Sequence, residues 1–209
     1  MTFPSMPDII PQSNNGIAEV EHFTVSRDDS LYTALRGGMN YVPTGKYARL
    51  LIRAELVMSD TRMEQITSSE VVMQARGRVL IVGLGLGMIL PSILKKPEVA
   101  SVLVLEKEQD VIDLIFPPLT DYLSKRQNEK LIVMQADIWE WTPEQIPPRG
   151  ETYLNPEIDR KFDTIYFDIW SDLCTDNLPE IAKLHQRGKH WKARGGWMGS
   201  WGQDYLRAE

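Results

Sequence analysis

Three glycines at alternate positions, Gly83, Gly85 and Gly87, close the apolar run Val79-Leu80-Ile81-Val82. A β-rich run that stops in glycines and passes into a helical segment, here Met88 to Lys96, has the grammar of a buried parallel strand, a tight turn and a helix start. Glycine accepts backbone bends and close approaches that a Cβ would block, so Gly83 and Gly85 are expected to let the chain approach a ligand. Free N–H groups at the helix start are expected to face that ligand. The spacing narrows which ligand. A dinucleotide turn wants glycine at its first, third and sixth positions, and the sixth here is Met88. NAD is therefore not expected.

Three acidic residues fall where open α/β sheets bind ligands, beyond the carboxyl ends of strands. Glu106 closes the run from Val99, Asp137 follows Leu131 to Gln135, and Asp168 follows Phe162 to Phe167. Glu106 lies roughly twenty residues beyond the first glycine, the separation at which an acidic side chain meets ribose hydroxyls. One carboxylate can accept from both hydroxyls of a diol. Asp137 is placed to accept from an adenine amino group, with Ile138 offering apolar packing to the ring. Asp168 would face the centre of the crevice, beside the reactive end of a nucleoside cofactor or beside the acceptor. The bland alternatives are a solvated loop charge, a helix N-cap for Asp137 and a solvated turn for Asp168.

These residues need a frame, and the chain supplies one. Strand-like runs at 79–82, 99–106, 131–135, 162–167 and 197–201 alternate with helical segments at 88–96, 109–115 and 178–190. Pro117-Pro118 is expected to interrupt the second helix, with a short one following from Leu119 to Lys125. Alternation of this kind predicts right-handed crossovers and an α/β, Rossmann-like, doubly wound parallel sheet. Ahead of it, Ile17 to Ser26, Tyr47 to Arg53 and Glu55 to Met58 read as a small antiparallel unit. Arg36 to Asn40 reads as a turn. Arg62 to Ala75 reads as one helix behind the N-cap Ser59-Asp60-Thr61. Residues 1–15, with three prolines, read as a poorly ordered arm, and Pro143 to Pro156 as an exposed insertion. The division expected is 1–60 for the arm and β-unit and 61–209 for the ligand-binding domain.

Composition removes several classes. A chain of 209 residues with 43% hydrophobic residues fits one α/β domain with a modest extension. The net charge of −6 gives no global field for nucleic acid. The lone cysteine, Cys174, excludes an intrachain disulfide framework and reads as a half-buried small apolar residue. No apolar run is long enough to span a bilayer, and Met1 to Asn15 has no signal core, so a cytoplasmic protein without a membrane partner is expected. His22, His185 and His190 show no metal-ligand spacing, and no metal is expected. Ser68-Ser69 and Ser171 lack a nucleophile elbow, and no P-loop is present. Lys183, Arg187, Lys189, Lys192 and Arg194 read as a solvated basic face. Trp170 could wall an acceptor or attract a cation, whereas packing explains Trp197 and Trp201.

The motifs Val-Gly-Leu-Gly-Leu-Gly, Val-Leu-Val-Leu-Glu-Lys, Gln-Ala-Asp-Ile and Phe-Asp-Thr-Ile-Tyr-Phe-Asp together resemble the core of class I S-adenosylmethionine-dependent methyltransferases. The small β-unit and the helix leading into the glycines resemble the layout of spermidine synthases and their methyltransferase-like relatives. The resemblance runs from Gly77 to Trp201 and implies S-adenosylmethionine as cofactor. It implies contacts from Gly83, Leu84, Gly85, Gly87, Glu106, Lys107, Asp137, Ile138 and Asp168. Asp168, then Asp172, would act on the acceptor. Methyl transfer to a small-molecule acceptor is the function expected. Aminopropyl transfer is the rival enzyme, and a non-catalytic binder of the same cofactor the rival from another class. Two departures count against a polyamine synthase: Asp168-Ile169-Trp170-Ser171-Asp172 replaces an Asp-Ser-Ser-Asp motif, and Val57-Met58 stands where a glutamine is usual. The residues after Trp201 are too few for the last two strands of a complete core, so a five-stranded sheet is expected. Its fifth strand, with two tryptophans and no charge, would then lie at an edge, and a homodimer through that edge is expected.

Overall fold

In a computed structural model of the chain, residues 3–38, 41–146 and 160–206 are described. The first sheet is antiparallel, in the order β1-β2-β3-β4. Its strands are β1 (Ser13–Asn14), β2 (Ala18–Val25), β3 (Gly45–Ile52) and β4 (Glu55–Ser59). A helix, α1 (Arg27–Arg36), connects β2 to β3 and was not expected. Its signal was present: Ser26 and Asp29 form a reciprocal capping box, with the Asp29 N–H donating to Ser26 Oγ and the Ser26 N–H to the Asp29 carboxylate.

Two short helices lead into the core, α2 (Arg62–Thr67) and α3 (Ser69–Gln74). The single helix expected over 62–75 is broken at Ser68. The hydroxyl of Thr67 donates to the carbonyls of Met63 and Glu64, and that of Ser69 to Ile66. Side-chain bonds of this kind compete with the helical ladder.

The second sheet is fully parallel, in the order β7-β6-β5-β8-β9. It comprises β5 (Gly77–Val82), β6 (Val99–Glu106), β7 (Leu131–Gln135), β8 (Phe162–Phe167) and β9 (Lys192–Ser200), so the five-stranded doubly wound sheet is observed. Its crossovers carry α4 (Leu90–Leu94), α5 (Gln109–Tyr122), α6 (Lys125–Asn128) and α7 (Leu178–Trp191); α8 (Gln203–Leu206) follows β9. Side chains alternate across the sheet. Val79, Ile81, Val102 and Val104 pack with α3, α4 and α5 on one face, while Leu80, Val82, Leu103 and Leu105 meet Ile138, Trp141 and α7 on the other. Burial on both faces explains why these strands read as continuous apolar runs.

Two further expectations are corrected. Pro117 and Pro118 lie inside α5 and do not split it. Each removes one ladder hydrogen bond, but Val111, Ile115 and Leu119 form a buried stripe that carries the helix through. The N-terminal arm is packed and not loose. Phe3, Met6, Ile9 and Ile10 are buried, and the Met6 N–H donates to Asp60 Oδ2 at 3.0 Å. The expected turn at 36–40 and insertion at 143–156 lie partly outside the described residues; within them, Pro143 is buried. Cys174 is half-buried. No helix among the described residues is long and apolar enough to cross a membrane.

Candidate functional site

Strand register brings the carboxylates together. Val82 pairs with Leu105 on one side and Phe167 on the other, so β5, β6 and β8 end level. The ladder runs one step further: the Gly83 N–H donates to the Leu105 carbonyl and the Asp168 N–H to that of Val82. Glu106 and Asp168 therefore flank the glycine turn. Above these strand ends is a cavity of about 540 Å³. Gly83, Gly85, Glu106, Lys107, Asp137, Ile138 and Asp168 line it, as expected from the sequence. Its opposite wall comes from the β3–β4 hairpin, including Ile52, Leu56 and Met58. Leu84, Gly87 and Asp172 do not line it.

Glu106 is the most firmly held of the acids. It is 9% exposed, and its Oε2 accepts the Leu84 N–H at 2.8 Å while Oε1 accepts the Glu108 N–H at 2.9 Å. Burial raises its pKa, and the backbone amides at Glu108 and Leu84 oppose that rise. Each carboxylate oxygen can accept more than one hydrogen bond, so both keep capacity for hydroxyl groups in the cavity. Leu84 thus serves the site by fixing Glu106, through its backbone.

The glycine turn departs from expectation. The N–H groups of Gly83, Leu84, Leu86 and Gly87 are all engaged within the protein, by Leu105 O, Glu106 Oε2, Met58 Sδ and Leu84 O. They are not aimed at a ligand, and α4 is only five residues long and starts at Leu90. All three glycines have positive φ, and a Cβ on each would strike the protein: the Asp168 carbonyl oxygen at 1.9 Å for Gly83, Met58 Sδ at 2.1 Å for Gly85, and Leu119 Cδ2 at 2.9 Å for Gly87. Close packing of the chain's own atoms explains these glycines.

Asp137 caps the turn that follows β7, its Oδ1 accepting the Trp139 N–H at 2.9 Å, and its Oδ2 is 3.0 Å from Lys107 Nζ. The amide of Trp139, with the Lys107 charge, holds its pKa below the usual carboxylate range. Asp137 thus caps a turn where a helix N-cap was the bland alternative, and it also borders the cavity. Ile138 is buried beside it.

Asp168 lies at the cavity floor. Burial, aided by the charge of Glu106, pushes its pKa up to about 7. Behind it Glu64, 6% exposed, is pushed up to about 8 by burial and by the charge of Asp168. Trp170 stands at the rim, its indole N–H donating to Glu180 Oε2 at 3.0 Å. Asp172 is turned away; its carbonyl and Oδ1 accept from Asn177 Nδ2 at 3.0 and 3.4 Å. Sequence reasoning did not assign the hairpin wall, Trp139 or Glu180 to the site. Val57-Met58 was the one signal, as a departure from the usual glutamine.

The lining carries the carboxylates Glu55, Glu106, Glu108, Asp137, Asp168 and Glu180 against Arg53 and Lys107. Both cations are paired, Lys107 with Asp137 and Arg53 with Glu108 at 3.5 Å. The cavity is acidic.

No protein-family model matches the chain, and no curated protein matches it. Solved structures do. Spermidine synthase from Thermotoga maritima superposes with a TM-score of 0.54 at 14% identity, covering 90% of this chain and 55% of that one. A methyltransferase from Geobacter sulfurreducens gives 0.45 at 12% identity, covering 68% and 60%, and a putative O-methyltransferase from Klebsiella pneumoniae gives 0.41 at 14%, covering 66% and 53%. The fold is that of the spermidine synthase structure. The chain spans a little over half the length of these structures, 53 to 60%.

If Glu106 anchors a ribose, Glu106→Ala weakens thionucleoside binding by about 1.5–3 kcal/mol, the range for hydrogen bonds to a charged group. Calorimetry and a thermal melt check this together. Normal binding with a lowered melting point would make Glu106 a structural carboxylate.

Proposed function

We propose that the chain binds S-adenosylmethionine in this cavity and transfers its methyl group to a small acceptor. The observation that carries the reading is Glu106, a buried carboxylate pinned by two backbone amides with acceptor capacity left over beside a cavity of nucleoside size. Ile138 and Ala136 supply apolar lining for a base, and Asp137 borders the same pocket. When bound, the cofactor supplies a carbon already activated by positive sulfur. The protein then has to orient the reactants and exclude water, and the hairpin wall and Trp170 close the cavity over the strand ends. Asp168 is the group placed to take a proton from an acceptor that arrives protonated. Asp172 faces away and is not needed for that step.

A second reading, aminopropyl transfer to an amine, is favoured by the excess of carboxylates over cations in the lining, which attracts ammonium groups. Titration calorimetry with S-adenosylmethionine, its decarboxylated form, S-adenosylhomocysteine and NAD separates the readings. We expect the sulfur compounds to bind at least about tenfold more tightly than NAD. Four of the turn's N–H groups, those of Gly83, Leu84, Leu86 and Gly87, are already engaged, and an acidic lining repels a pyrophosphate. NAD binding without either sulfonium or thioether ligand would refute the assignment. A strong preference for the decarboxylated form would select aminopropyl transfer.

We also propose a homodimer through the outer edge of β9, which ends the sheet among the described residues. The backbone would make this contact, because Trp201 is 3% exposed and its indole N–H donates to Thr67 within the same chain. Light scattering over a dilution series tests it.

A further inference from the structure

A second cavity, of about 750 Å³, opens at the other end of the parallel sheet. Its walls are the N-terminal arm, α4 with the turn after it, and the stretch from Tyr122 to Lys130. These lead into the amino ends of β6 and β7, whereas the candidate site lies beyond their carboxyl ends. Lys95, Arg126 and Lys130 line the second cavity, with no carboxylate among the described residues of its lining. That inventory is the reverse of the first cavity's, in a chain of net charge −6. Cations beside helix ends are ordinary, and Lys95 directly follows α4. That role requires neither a concavity nor the exclusion of acids from it. Asp121 and Glu129 stand next in sequence to Tyr122 and Lys130 yet stay out of the lining, and Glu98 pairs with Lys96 at 3.5 Å.

The cavity is preformed. Gln127 Nε2 donates to the Pro91 carbonyl at 3.4 Å and Lys130 Nζ to that of Lys96 at 3.1 Å, which ties two of the walls together. The Lys130 ammonium keeps two further donors. Neither the Lys95 ammonium nor the Arg126 guanidinium is paired with a described side chain. The lining also contains Phe3, which is buried, and Tyr122, a ring 53% exposed at the end of α5. We propose that this cavity is a second binding site, one that takes a small phosphate monoester with an aromatic body. Three cations match a dianion, and a guanidinium holds two phosphate oxygens at once. The volume falls among those of small-ligand pockets, roughly 300–1,000 Å³. Tyr122 offers its ring to the organic part. The proposal is independent of the nucleoside reading, and the acidic first cavity repels the same anion.

The test is calorimetry with phenyl phosphate, alongside phenol and inorganic phosphate as its two halves. The wild type is expected to bind phenyl phosphate at least about tenfold more tightly than phenol and about threefold more tightly than inorganic phosphate. Arg126→Gln and Lys95→Gln alter exposed side chains and should fold normally. Each is expected to weaken phenyl phosphate binding by about tenfold, the scale of one lost charge-assisted contact. Lys189→Gln, an exposed position on α7, should leave it within about twofold. No binding of phenyl phosphate by the wild type, or equal binding by all three variants, overturns the site. Phenyl phosphate no tighter than inorganic phosphate overturns the aromatic body.

Discussion

On the proposed function, Asp168→Asn is expected to lower turnover by about 10²–10⁴-fold, the range for loss of a positioned general base, and to leave cofactor affinity within about threefold. The carboxylate lies at the end of β8, between the glycine turn and the rim residue Trp170, and asparagine keeps its shape. Burial and the neighbouring Glu106 charge push its pKa up to about 7. A base must be unprotonated, so the wild-type rate should rise with pH and level off above about 7, and that limb should vanish in the variant. Stability moves the other way. The folded pKa lies above the ordinary value of about 3.9, so the folded state holds the proton more tightly. That stabilisation is complete below about pH 4 and is lost as pH rises through about 7. Glu64, pushed up to about 8, behaves alike. Urea unfolding at pH 5 and pH 8 should therefore show a smaller decline for Asp168→Asn than for the wild type. Equal losses of turnover and cofactor affinity would recast Asp168 as a cofactor contact.

The second large effect is on the fold. Asp60 is 2% exposed, and its two oxygens accept the N–H groups of Met6 at 3.0 Å and Ala48 at 2.7 Å. One side chain thereby ties the N-terminal arm to β3 at the entrance to α2. Asp60→Ala leaves both amides without these acceptors, at roughly 1–3 kcal/mol each. The melting temperature should fall by roughly 5–20 °C for a chain of this size. Burial raises the pKa of Asp60 and the amides of Ala48 and Met6 oppose that rise, so the loss belongs to the hydrogen bonds. Asp60→Asn, which keeps one good acceptor, should lose about half as much. A melting point within a degree of wild type for Asp60→Ala would mean that apolar contacts of Met6 and Ile10 alone hold the arm.

What could be read from the sequence follows the range of the forces involved. The strands over 99–106, 131–135 and 162–167 were legible to the residue, because their inner stretches, Val102 to Leu105, Leu131 to Met134 and Ile165 to Phe167, are apolar as expected of strands covered on both faces. Glu106 was legible because its place is set by strand register, a local count. Met58 was not, because its role depends on a bulge and on a turn far along the chain. The same limit explains the arm: its prolines and polar residues suggested disorder, while the contacts that order Met6 and Ile10 come from Asp60 and His22. At Pro117 and Pro118 a local rule lost to the buried stripe of α5. The glycines were located correctly, and the space they leave is also taken by atoms of Asp168, Met58 and Leu119, which no local reading could name.

The walls of the cavity come from two sheets that share no strand pairing. A ligand between them binds only while the sheets are docked, so its binding energy is added to the docking equilibrium. At a hundredfold excess over Kd that linkage amounts to about 2.7 kcal/mol. Amide exchange in β3 and β4 should accordingly slow on ligand addition even at residues that never touch the ligand. The hairpin's local stability then becomes a gauge of site occupancy.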